Sequence, residues 1–161
     1  MKKQIIKLYL IAIVSMVTAN IFAQDQMTTE PNFKFSIEKD MTDKKDIEKT
    51  LLKYIEAGDK NDVKSLEKVT HENFRVVLND TKETAIKVLD RTTYHDLIGK
   101  KVFGGTHRDV EIQMIDVFGN TNATVKAQLT SEKAVFYNYY SLLKVGGKWW
   151  VVQDLLYMEG K

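Results

Sequence analysis

The chain has 161 residues, and 24 Lys and Arg against 22 Asp and Glu give a formal charge of +2 with a pI near 8.6. That length suits one domain with its own core, and 43% hydrophobic with 29% charged residues excludes a disordered, collagen-like or multi-span membrane protein. Cysteine is absent and histidine numbers three, so disulfides, thiolate chemistry and cysteine-linked lipid are excluded, and neither a protein-built metal site nor a cofactor is expected.

Lys2, Lys3 and Lys7 lead into the apolar run from Leu8 to Val17, and the segment closes on Ile21-Phe22-Ala23. A basic start, a short apolar stretch and a small residue at the cut predict a secretory signal peptide over residues 1–23. The run is shorter than the roughly 20 apolar residues a bilayer span requires. Cleavage is placed after Ala23, with Ala19 as the alternative; a retained amino-terminal anchor is the competing reading. Losing this segment removes three lysines and no acid, which leaves 21 basic against 22 acidic side chains, a net −1. The expected location is periplasmic or secreted, with no membrane contact after cleavage. Dispersed lysines on a nearly neutral chain leave no electrostatic footprint for nucleic acid.

Residues 24–43 are polar and aperiodic, hold the only proline, Pro31, and read as a flexible lead-in to a domain over 44–161. Ile47, Leu51, Tyr54 and Ile55 share one helical face, with Thr42 or Asp43 as the predicted cap and Gly58 at the stop. Val63, Leu66 and Val69 predict a short second helix that starts near Asp62. Phe74, Val76 and Leu78 then alternate with polar and smaller residues, and Asn79-Asp80 turns the chain toward a second short strand over 85–90. Thr93-Tyr94-His95-Asp96 has capping-box spacing, which predicts a third helix capped by Thr93 and ended by Gly99. Lys100 to Thr106 is a loop. Four β-rich runs follow, 109–118, 122–130, 134–144 and 148–157, separated by Gly119-Asn120, Ser131-Glu132 and Gly146-Gly147, which suit tight hairpin turns. The pattern is α+β, with helices followed by an antiparallel meander.

Along Val135 to Leu143, and again over Trp149-Trp150-Val151-Val152, apolar side chains fall on both faces of the strand. One face covers the helices. The other needs a cover, for which a second copy of the chain is the expected partner, giving a homodimer through the sheet face; a closed sheet or barrel is the alternative.

Several pieces carry a family resemblance: Tyr54-Ile55-Glu56 with Gly58-Asp59, Thr70-His71-Glu72-Asn73-Phe74, Tyr94, and above all Asn138-Tyr139-Tyr140-Ser141-Leu142-Leu143-Lys144-Val145-Gly146-Gly147-Lys148-Trp149-Trp150-Val151-Val152. Over roughly residues 44 to 158 the chain resembles the nuclear transport factor 2-like superfamily, in its putative lumazine-binding branch. The resemblance implies a cone-like curved antiparallel sheet with three N-terminal helices and a pocket for a small, partly aromatic or apolar molecule.

Catalytic members of that superfamily place acids and a base inside the cone. His71 is the candidate catalytic base, with a ring that titrates near working pH; it also fits a cap on the second helix. Tyr54, His71, Tyr94, Tyr139 and Gln153 are the candidate ligand-binding residues, with plain core packing as the alternative for Tyr54, Tyr139 and Gln153. If Trp149 points inward, as the resemblance implies, period two brings Val151, Gln153 and Leu155 with it and sends Trp150, Val152 and Asp154 outward. Where steroid-isomerase-like members carry a carboxylate base, this chain has Val76-Val77-Leu78-Asn79. Their second acid aligns with Tyr139, and their first-helix Tyr lies nearer Leu51 than Tyr54. Asp80, Asp90 and Asp116 remain as acids that turns and solvated strands explain more simply. The expected function is therefore an exported, noncatalytic binding or interaction domain. The alternative is a small isomerase, cyclase or dehydratase that uses His71 with a Tyr hydroxyl.

Overall fold

The structure is a computed structural model that describes the backbone of residues 30–80 and 85–161 and the side chains of 39–79 and 85–161. The segment read as an export signal lies outside the described residues. Residues 39–161 form one compact unit. The elements run α1 (Glu30–Asp59), α2 (Val63–Glu67), β1 (Thr70–Asp80), β2 (Ala85–Asp90), α3 (Arg91–Gly99), β3 (Asp109–Phe118), β4 (Asn122–Thr130), β5 (Ala134–Val145) and β6 (Lys148–Gly160). No helix among the described residues is long and apolar enough to cross a membrane.

Two helix starts differ from expectation. Residues 30–43, read as a lead-in, are helical. Pro31 falls in the first turn of α1, where its missing N–H has no intrahelical partner to lose, and no other breaker precedes Gly58. Thr42 and Asp43 are therefore interior residues of α1 rather than caps. In α3 the cap is Asp90, whose carboxylate accepts from the Thr93 N–H at 2.7 Å; a helix from Arg91 puts Thr93 at the position that donates to a cap, and a carboxylate there also meets the helix dipole. For α2 the expectation holds: Asp62 caps it through the Ser65 N–H.

The sheet has six strands in the order β2-β1-β6-β5-β4-β3 and does not close. All neighbours are antiparallel except β1 and β6, which run parallel. At the β5–β6 hairpin Val145 faces Lys148, and Gly146 and Gly147 take φ of 59° and 77°, the pair of positive values that a two-residue turn of matching twist needs. The ladder slips beyond Leu142↔Val151, because the next pair is Ser141↔Gln153. Val152 is thus an extra residue, a bulge that inverts the faces of the rest of β6.

The core joins the inner sheet face to α1 and α3. Ile47, Leu51, Tyr54 and Ile55 of α1 are buried with Phe74, Val125, Leu129, Tyr140, Leu142, Trp149 and Val151. At its edge the buried Asp43 carboxylate accepts from the Lys144 ammonium and, at 3.4 Å, from the Trp149 indole N–H. Burial tends to raise the Asp43 pKa, but Lys144 and the indole outweigh it and hold the carboxyl below its ordinary value. Its stabilisation is accordingly present above the unfolded pKa and lost as pH falls through the folded one. In urea unfolding at neutral pH, Asp43→Ala is expected to cost about 2 kcal/mol by stranding Lys144, and Lys144→Met in the same chain should recover most of that loss.

Candidate functional site

The sequence-predicted residues separate into two groups. Tyr54 of α1 and Tyr94 of α3 meet on the inner side of the sheet, with ring centroids 6.2 Å apart and planes at 27°. Phe74 and Tyr140 close the same aromatic cluster against Tyr54, at 5.6 and 5.9 Å. His71, Tyr139 and Gln153 are not part of it. The His71 ring stands edge-on to Trp150 at 6.3 Å, on the side opposite Trp149, and its Nδ1 accepts from the Asn73 N–H. Tyr139 is 46% exposed. Gln153 accepts from the Arg75 Nε at 3.0 Å.

The outward facing of Tyr139 and Gln153 has a geometric cause. The two-residue turn pairs Lys144 with Trp149, and partners across a ladder share a face. With Trp149 inward, the inward residues of β5 are Leu142, Tyr140 and Asn138, so Tyr139 points out. On β6 the bulge at Val152 exchanges the parity after Val151. Gln153 and Leu155 turn outward, and Asp154 turns in.

Asp154 is the centre of the site. Its Oδ2 accepts from the Tyr54 hydroxyl at 3.0 Å and its Oδ1 from the Asn138 amide at 2.6 Å. Asn138 is 2% exposed, and its Oδ1 is a buried acceptor with no hydrogen-bond partner among the described residues. Burial pushes the Asp154 carboxyl up to about 6, against the opposing pull of Asn138, Tyr54 and the Arg108 charge. Burial, and then the Asp154 charge, also hold the Tyr54 and Tyr140 phenols well above their ordinary value, and burial raises Tyr94 to about 12. At neutral pH the site therefore presents phenols that stay protonated as donors beside a carboxyl that exchanges its proton close to neutrality.

Arg108 and Asp59 border the cluster. Arg108 Nε donates to Asp59 Oδ1 at 2.6 Å, and the guanidinium lies over the Phe136 ring at 5.6 Å. The loop before Arg108 is pinned to the end of α1, where a Cβ on Gly104 would come within 2.1 Å of the Gly58 carbonyl oxygen. Asn61 supports the same loop through the carbonyls of Ile98 and Phe103. Of the acids weighed from sequence, Asp90 is the α3 cap, Asp116 is exposed and the Asp80 side chain lies outside the described residues. Sequence reasoning missed Asp154 and Asn138. The available signal was an acid and an amide in otherwise apolar strands, but placing them together requires the register.

Residues 42–157 match the profile of a family described as "Putative lumazine-binding". A search of curated proteins finds no match. Among solved structures, a nuclear transport factor 2-like protein of unknown function from Shewanella baltica is similar at 24% identity and a TM-score of 0.67, covering 75% of this chain and 97% of that one. A second protein so described, from Silicibacter pomeroyi, is similar at 16% identity and a TM-score of 0.62, covering 71% and 93%. A structure titled putative scytalone dehydratase, from Novosphingobium aromaticivorans, is similar at 20% identity and a TM-score of 0.56, covering 78% and 91%. At these identities the likeness concerns the fold.

Because Asp154 binds its proton more tightly in the folded chain than in the unfolded one, its contribution is favourable at low pH and is lost as pH rises through about 6. Replacing it by Asn removes that term. The stability of wild type relative to Asp154→Asn is expected to fall by about 2 kcal/mol between about pH 4 and about pH 8, measured by urea unfolding of both proteins at each pH.

Proposed function

The chain belongs to the putative lumazine-binding family of the nuclear transport factor 2-like superfamily, and from that premise we propose that it is an exported domain that binds a small, partly aromatic molecule at the Tyr54–Asn138–Asp154 cluster. The observation that carries this reading is the orphaned Asn138 Oδ1. A buried acceptor without a partner costs about 1–3 kcal/mol unless a donor arrives to satisfy it. A planar heteroaromatic ring with an N–H edge, of which a lumazine is one, supplies that donor and offers its face to Tyr54 and Tyr94. Cone-like curvature of the sheet fits the reading, and the irregular pairings at 112/114, 141/142 and 70/75 favour it, because bulges bend strands. The test is a fluorescence titration with 6,7-dimethyllumazine, alongside native mass spectrometry of the purified protein. Saturable binding that weakens about tenfold in Asn138→Leu is expected. A protein that carries no adduct and shows no saturable titration lacks this function.

A second reading, a small isomerase, cyclase or dehydratase, is favoured by Asp154 rather than by His71. His71 lies on the outer face, whereas Asp154 combines a pKa of about 6 with phenolic donors suited to a developing oxyanion. Turnover by this route requires the carboxylate, so it rises as pH passes about 6 and vanishes in Asp154→Asn.

The outer sheet face is the proposed homodimer surface. Tyr137 and Tyr157 stack at 6.1 Å across β5 and β6, and Tyr139, Leu143 and Leu155 extend the exposed apolar area beside them. Sedimentation of the purified protein is expected to give two copies, and Tyr139→Glu with Leu155→Glu to give one. A wild-type monomer at about 100 times a typical micromolar working concentration rules this surface out.

A further inference from the structure

A groove of about 650 Å3 lies away from the aromatic cluster, between α1, α2 and the β5–β6 turn. That volume is in the range of small-molecule sites, roughly 300–1,000 Å3. Its apolar floor comes from Ala57, Val69 and Trp149, all of them buried. Its rim is basic, with Lys49 and Lys53 one turn apart on α1 and Lys68 just beyond α2.

The other charges of the groove are already engaged. Lys60 pairs with Glu56, Asp62 caps α2 through Ser65, and the Lys148 ammonium donates to the Lys68 carbonyl while lying 3.6 Å from the centre of the Trp150 ring. The ammonium groups of Lys49 and Lys53 hold no hydrogen bond or ion pair among the described residues, the Lys68 charge acts on Asp62, and five lysines face three carboxylates, Asp46, Glu56 and Asp62, around the groove. The concave surface is thus left with excess positive charge around an apolar base. Lysine stems bury readily along apolar surface while the heads stay at the rim, and a cleft with one sign of charge concentrates the opposite ion.

We propose that this groove binds an amphipathic organic anion, with an apolar or aromatic body on Val69 and Trp149 and a carboxylate between Lys49, Lys53 and Lys68. The site is independent of Asp154 and takes a different chemical class from the interior cluster.

The test is a two-dimensional NMR titration of 15N-labelled protein with 2-naphthoate and with naphthalene-2-methanol, its uncharged counterpart. The expected result is saturable shifts at the Lys53 and Val69 amides and the Trp149 indole N–H, with the alcohol binding about tenfold more weakly. Lys53→Glu and Lys68→Glu, both at exposed positions, each weaken naphthoate about tenfold while the rest of the spectrum is preserved. Asp154→Asn leaves naphthoate binding unchanged, which separates this groove from the interior site. Equal affinity for acid and alcohol, indifference to both charge reversals, shifts confined to Tyr54 or to the outer sheet face, or no saturable shift at all would each overturn the proposal.

Discussion

The interior of this domain depends on one residue that has no counterpart across the sheet. Val152 is skipped by the β5–β6 ladder, and on the other side of β6 the pairing with β1 jumps from Thr70↔Val151 to Arg75↔Gln153, so four residues of β1 span the same gap. Both irregularities fall at one level of the sheet. Without them, Gln153 and Leu155 would follow Trp149 and Val151 into the core. With them, Leu155 is exposed and a carboxylate takes the interior position, within reach of a phenol and an amide. The same break lets β1 bury Phe74 while His71 lies outside against Trp150. A bulge next to a functional cluster is a recurring device for re-aiming side chains.

An interior Asp held at about 6 is a poor choice for stability alone, since an apolar residue of similar volume carries no desolvation penalty. Perturbed titrations of this kind concentrate where proteins bind or react. The partners of Asp154 reinforce the point. Tyr54 and Asn138 come from elements 100 and 16 residues away in sequence, so the cluster is a product of the tertiary fold rather than a local turn. Family membership and the cluster therefore support each other from separate directions, one from the pattern of the whole chain and the other from three side chains.

What could be read from sequence followed the range of the interaction responsible. The face of α1, the Asp62 start of α2 and the glycine turn after Val145 are set by contacts within a few residues, and they stand where periodicity and turn chemistry put them. The meander of the last four strands follows from those turns. The facing of Tyr139 was recoverable too, because a two-residue turn pairs Lys144 with Trp149 and so sends Tyr140 inward. The facing of Asp154 was not, because the extra residue is a valine in Trp-Trp-Val-Val, where nothing distinguishes a bulge from a regular strand. The start of α1 was misplaced for the opposite reason: a polar stretch without an apolar face still propagates as helix when no breaker interrupts it. Asp43 looked like a cap because its charge suited one, but the partners that engage it, Lys144 and Trp149, lie about a hundred residues away.

The parallel pairing of β6 with β1 has a kinetic consequence. Strand β6, which follows all the others in chain order, occupies an interior position in the sheet, between the β1–β2 pair, the first in the chain, and the meander that precedes it. Until β6 is available, β1 and β2 have no ladder to the rest, and contacts separated by some 80 residues must close before the two parts become one sheet. Such closure is entropically slow. The β1–β2 pair and the meander therefore become one continuous sheet only once β6 has paired with both.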